Sequence, residues 1–133
     1  MKLTLKVMLI IAAIYHILNG LLGLLAPPEW MGVAVTASTP MFLVMTMRFW
    51  GVASLALGLI AWLIRNAEAS KTRDAVVLGM TFFFVLEAPV SLYGYFVDPG
   101  SPHLVFALLE ALIAVGFIIV GRSNMSKNTR KEK

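Results

Sequence analysis

Four polar side chains that could bind an ion, a proton or a ligand lie inside long apolar stretches of this chain: His16, Arg48, Glu87 and Glu110. Ionisable groups within a membrane span are costly, so they usually face protein or a cavity and mark functional positions. Counted by helical rise from the nearest end of each stretch on one side of the membrane, each lies about 10 to 15 Å deep. The sequence therefore predicts a single polar layer in the outer half of the spans.

The stretches that carry these residues have the length and composition of membrane spans. Hydrophobic residues make up 59% of the 133 residues, charged residues 14%, and the mean hydropathy is +0.86. Because an apolar run of about 20 residues crosses a bilayer, we predict an all-α, integral-membrane, antiparallel four-helix bundle forming one domain, 1–121. Its spans are expected at about 5–26, 41–64, 75–97 and 103–121.

Proline-rich and polar segments separate the spans. Pro27 and Pro28 end the first span, and a short surface helix is expected at about 30–37 in the connection that follows. Residues 98–102 read Asp-Pro-Gly-Ser-Pro, which predicts a tight hairpin turn between the last two spans. Residues 122–133 form a basic cytoplasmic tail, which we expect to be solvated and disordered.

Basic residues are distributed asymmetrically between the predicted connections. Ten of the eleven lie at ends that a four-span chain places on one side: Lys2, Lys6, Arg65, Lys71, Arg73, Arg122, Lys127, Arg130, Lys131 and Lys133. Positive charge is retained on the cytoplasmic side, so the sequence predicts an inner-membrane, multi-pass protein with both termini cytoplasmic. The eleventh basic residue is Arg48, inside the second span.

Small residues share helix faces with the polar groups. His16 lies on a face with Asn19, Gly20 and Gly23, and Arg48 lies on a face with Gly51, Leu55 and Gly58. Glycines let helix backbones approach closely in lipid, where no hydrophobic drive holds helices together. The faces that carry the polar side chains are therefore also the expected packing faces.

Arg48, Glu87 and Glu110 are expected to form one network, with His16 and Asn19 as a polar wall at its edge. Two carboxylates facing one guanidinium leave a net negative charge. Either one glutamic acid stays protonated, or His16 becomes charged, or a cation occupies the site. In this hypothesis Arg48 contacts an anion or carbonyl of a ligand, while the glutamates orient the ligand and hold protons.

Several classes of function are disfavoured. The chain has no cysteine, which excludes disulfides and thiolate metal sites. His16 with the two glutamates has the ligand types of a metal site, but a guanidinium at the same level would repel the metal. No set of nucleophile, base and orienting residue indicates an enzyme, and no cofactor is identified. The basic residues flank membrane spans, so nucleic-acid binding is not expected despite a pI near 9.7.

Three hypotheses of function remain. The first is a non-enzymatic membrane protein that binds a small lipophilic ligand or a partner subunit at the polar layer. The second is a proton-coupled small-molecule transporter that uses Glu87 and Glu110. The third is a purely structural subunit of a larger membrane complex or homo-oligomer, in which the polar groups fix helix register and partner choice.

Residues 48–65 read RFWGVASLALGLIAWLIR, an arginine that leads an inner helix with spaced glycines. This segment resembles the second helix of small four-helix bacterial membrane proteins of the DoxX-like group, and the four-span layout and the proline-bearing first loop are similar as well. The resemblance implies a membrane subunit or accessory protein, in some members linked to quinone-coupled sulfur oxidation. That activity is not expected of this chain, because it has no cysteine.

Overall fold

The computed structural model describes residues 4–27, 36 and 39–131, with side chains as far as Gly121. The described residues form helices and connections only, with no strand among them. The helices are α1 (Leu5–Leu25), α2 (Met41–Ile64), α3 (Lys71–Val97) and α4 (His103–Lys131). Each contains a stretch long and apolar enough to cross a membrane, which confirms the predicted number of long apolar helices.

Helix α3 begins four residues before the predicted span because Ser70 caps its first turn. The Ser70 hydroxyl accepts a hydrogen bond from the backbone N–H of Arg73 at 3.2 Å. Asp74 lies in the same turn, where a negative charge is favoured by the helix dipole. The polar residues after Ile64 therefore supply the start of a helix as well as the connection to it.

Helix α4 continues to Lys131, so the expectation that residues 122–131 are disordered was wrong. The segment contains no proline or glycine to end the helix, and it is rich in basic residues, which are favoured near a helix C-terminus. The short surface helix expected at about 30–37 falls almost entirely outside the described residues.

The chain divides into two compact units. The α1–α2 unit consists of Leu9–Ile64 and contains most of α1 with all of α2. The α3–α4 unit consists of Met1–Met8 with Arg65–Lys133. Each unit contains a pair of helices in contact, and each carries some of the polar residues predicted from the sequence.

Glycines bring the backbones of α1 and α2 into direct contact. A methyl group added to Gly51 would lie 2.9 Å from the backbone carbon of Gly23, and one added to Gly58 would lie 3.1 Å from the carbonyl oxygen of Ala13. Residues early in α1 thus contact residues late in α2, so the two helices are antiparallel. The buried residues of α2 are all small: Gly51, Ser54, Gly58 and Ala61. The predicted stripe of small residues is the packing face of this helix.

Helices α3 and α4 form a hairpin closed by the predicted tight turn. Asp98 organises the turn, since its Oδ1 accepts from the N–H of Gly100 and its carbonyl oxygen accepts from the Ser101 hydroxyl at 2.6 Å. Inside the hairpin the rings of Phe84 and Phe117 stack with their centroids 6.1 Å apart and are fully buried. This contact sets which residues of the two helices lie opposite one another.

We expect Gly51→Ala to lower the free energy of unfolding by about 1–3 kcal/mol, because its methyl group would meet backbone atoms that cannot move independently. Gly79→Ala is the matched control: no atom lies within 4 Å of the added methyl group, and alanine favours a helix by about 0.5–1 kcal/mol. Denaturant titration in detergent micelles, followed by circular dichroism, measures both. Equal effects of the two changes would contradict the close approach of α1 and α2.

Candidate functional site

Arg48 caps the end of α1 from α2. Its Nη1 donates hydrogen bonds to the carbonyl oxygens of Gly23 and Ala26, each at 2.9 Å. In a continuing helix the carbonyl of Gly23 would accept from residue 27, but that residue is Pro27, which has no N–H. A cation is also favoured beside the negative end of a helix dipole. The guanidinium thus supplies the donor that Pro27 lacks, and it donates to the Ala26 carbonyl as well.

These partners are carbonyl groups, whereas the sequence predicted carboxylates. The α1–α2 unit contains one acidic residue, Glu29, which lies outside the described residues. The network of Arg48 with Glu87 and Glu110 stays a prediction. The sequence did contain a signal for the observed role, because prolines directly after a span leave its last carbonyls without donors.

His16 and Ser54 form a buried polar contact between α1 and α2. The Ser54 hydroxyl donates to the backbone carbonyl of His16 at 3.0 Å and lies 3.2 Å from His16 Nδ1. A hydroxyl has one hydrogen, so Nδ1 must carry a proton and donate to the Ser54 oxygen. When the imidazole is neutral, a proton on Nδ1 leaves Nε2 as the hydrogen-bond acceptor of the ring. Sequence reasoning missed Ser54, although it lies on the same helix face as Gly51 and Gly58.

Asn19 lies one turn beyond His16 and is also buried. Its Nδ2 donates to the carbonyl oxygen of Tyr15 at 3.1 Å, so the amide group is turned onto its own helix. The Tyr15 ring meets the His16 ring edge to face at 5.4 Å between centroids. His16, Asn19 and Ser54 together make a polar cluster within the α1–α2 unit.

The structure separates His16 from Arg48, contrary to the expectation of one polar layer. His16 contacts Ser54, which lies six residues after Arg48, or about 9 Å along α2. Arg48 in turn contacts the end of α1, beginning seven residues after His16. The start of α2 extends beyond the end of α1, so equal distance counted from each helix end does not give equal level in the folded unit.

Glu87 and Glu110 face each other in the α3–α4 hairpin. The turn places Gly94 against His103, and the same register places Glu87 opposite Glu110, where the two carboxyl groups interact electrostatically. Glu110 is 2% exposed and Glu87 is half-buried, with its Oε2 atom inaccessible. Two adjacent carboxyl groups in apolar surroundings repel each other as anions, so the pair can hold a proton or attract a cation.

Among the described residues, no group of three or more histidine and acidic side chains is placed to hold a metal ion. Comparison of the chain with protein-family models, with curated proteins and with solved structures finds no match. The resemblance to the DoxX-like group thus stays a prediction, and function must be inferred from the chemistry of the polar side chains.

Removing the Ser54 hydroxyl tests the contact between His16 and α2. Ser54→Ala should lower the free energy of unfolding by about 1–3 kcal/mol, because a buried imidazole N–H then loses its acceptor. Thr46→Val is the control on the same helix, since the Thr46 hydroxyl donates to the carbonyl of Phe42 in its own helix. Denaturant titration should show a much smaller loss for Thr46→Val; similar losses would mean that the contact does not stabilise the unit.

Proposed function

We propose that this chain is a multi-pass inner-membrane protein, with four antiparallel spans and both termini cytoplasmic, that binds a small lipophilic ligand or a partner subunit without catalysing a reaction. The apolar length of the four helices supports the membrane location. The concentration of basic residues at one set of helix ends supports the orientation. A family relationship to the DoxX-like group is part of the same proposal.

The observation that carries the proposal is the fixed position of Arg48. Two carbonyl groups hold its guanidinium in one orientation, while the side chain remains half-buried and so can be reached from outside the protein. A charged group that is fixed by hydrogen bonds and accessible within long apolar helices can bind a polar group of a lipophilic molecule. His16 and Asn19 form a separate, buried polar position in the α1–α2 unit, and Glu87 and Glu110 provide another in the α3–α4 unit.

Native mass spectrometry of the protein extracted from membranes in mild detergent tests this function. We expect a stoichiometric extra mass on the wild-type chain that is lost on Arg48→Met, because the variant removes the charged contact. Lys71→Met is the control, with the same change of charge at the exposed start of α3. A polypeptide mass would identify a partner subunit, and a smaller mass a ligand. A bare chain in every sample would contradict the proposal.

The carboxyl pair favours a second candidate, a proton-coupled transporter of small molecules. Glu87 and Glu110 lie opposite each other in the α3–α4 hairpin, where they can take up and release a proton. In vesicles, Glu87→Gln or Glu110→Gln should abolish pH-dependent uptake while leaving assembly intact. Glu68→Gln, in the exposed connection before α3, is the control. Uptake that is unchanged in the two span variants would exclude transport by this pair.

The helix cap formed by Arg48 favours a third candidate, a structural subunit, because capping requires no ligand. In that case Arg48→Met combined with Glu87→Gln and Glu110→Gln should disrupt helix packing or oligomeric state. If the polar groups serve binding instead, the same triple variant should keep its oligomeric state and lose the extra mass.

A further inference from the structure

The guanidinium of Arg48 has one edge that donates to the end of α1 and one edge that is open with respect to the described residues of the α1–α2 unit. Of its five N–H groups, the two on Nη1 donate to the carbonyls of Gly23 and Ala26. Nε and Nη2 make no hydrogen bond to the described residues of the α1–α2 unit. Nε–H and Nη2–H point in parallel from the same edge, and this fork can donate two hydrogen bonds to two oxygens of a carboxylate or phosphate.

The charge of Arg48 is only partly compensated by the described part of its unit. The carbonyl end of α1 is equivalent to about half a negative charge. No aspartate or glutamate belongs to residues 9–27 or 39–64, so the described residues of this unit supply no full negative charge. An anion at the open edge would complete the compensation, whereas a cation would be repelled.

The exposed surface one helical turn from Arg48, and at the end of α1 that Arg48 contacts, is apolar. Met45 and Val52 lie one helical turn on either side of Arg48 and are 42% and 55% exposed, and Leu25, at the end of α1, is 76% exposed. An anion bound by Arg48 would therefore sit next to apolar surface rather than next to further polar groups. A molecule that matches both features carries its negative charge at one end of a lipophilic chain.

We propose that Arg48 binds the headgroup of a lipophilic anion, a carboxylate or phosphate, through Nε and Nη2, with the apolar chain along Met45 and Val52. This inference rests on the proposed ligand-binding function and specifies its ligand class. The carbonyl groups of Gly23 and Ala26 act as positioning groups, because they hold Nη1 and so aim the opposite edge of the guanidinium. The geometry suits a two-oxygen headgroup better than a neutral one, which would leave the charge uncompensated.

The test measures binding of three probes to the purified full chain in detergent by native mass spectrometry titration: palmitate, methyl palmitate and a dipalmitoyl phosphatidate. Palmitate and its methyl ester share the same chain and differ in the charge of the headgroup. We expect at least one anionic probe to bind about tenfold or more tightly than the ester, as loss of a charge-assisted hydrogen bond implies. The ratio between palmitate and phosphatidate identifies the preferred headgroup, and a preference for either supports the proposal.

Arg48→Lys provides the matched variant. Lysine keeps the positive charge and can donate to the carbonyls at the end of α1, but it lacks the fork. We expect it to weaken binding of the anionic probes about tenfold and to leave binding of the ester unchanged, whereas Lys71→Met should alter neither. Circular dichroism reports whether each variant is folded. Should Arg48→Lys fail to fold, the comparison of palmitate with its ester on the wild-type chain decides the question.

The outcomes separate this inference from the proposed function. Equal affinity for palmitate, phosphatidate and the ester, or anion affinity unchanged by Arg48→Lys, would overturn the anion site. If no probe binds but the protein from membranes retains an extra mass, the ligand class is wrong and ligand binding stands. If no probe binds and no extra mass is retained, both proposals are overturned.

Discussion

A backbone carbonyl in apolar surroundings needs a donor, and this requirement determines much of the α1–α2 unit. Pro27 ends α1 and removes the N–H that would satisfy Gly23, so the donor has to come from another helix. Arg48 provides it through Nη1, and the favourable position of a cation at the end of a helix dipole offsets part of the cost of placing a guanidinium there.

The cap depends on the close packing of α1 against α2. Only small residues allow the two backbones to approach until Gly51 lies against Gly23, and the same approach brings Ser54 within hydrogen-bond distance of His16. Packing, helix capping and the buried polar contact are therefore mutually dependent. Their common result is a guanidinium of fixed orientation, which is the property that a binding site requires.

In the α3–α4 unit, too, contacts between two neighbouring helices determine which polar side chains lie opposite each other. A short turn and the stacked rings of Phe84 and Phe117 set the register of the hairpin, and that register places Glu87 opposite Glu110. The two units therefore differ in chemistry: one offers a cation whose partners are carbonyl groups, and the other offers two carboxyl groups that repel each other as anions. A guanidinium attracts anions, whereas two adjacent carboxyl groups favour a bound proton.

The sequence by itself determined the number of helices, the tight turn and the packing face of α2, because these depend on local composition and on the 3.6-residue period. It also identified Arg48, Glu87 and Glu110 as the charged groups within the spans. Only the tertiary structure decided that Arg48 meets carbonyl groups, that Ser54 contacts His16, and that these contacts lie at different levels. The reason is that pairing between helices depends on their axial register, which is set by contacts between residues far apart in the chain.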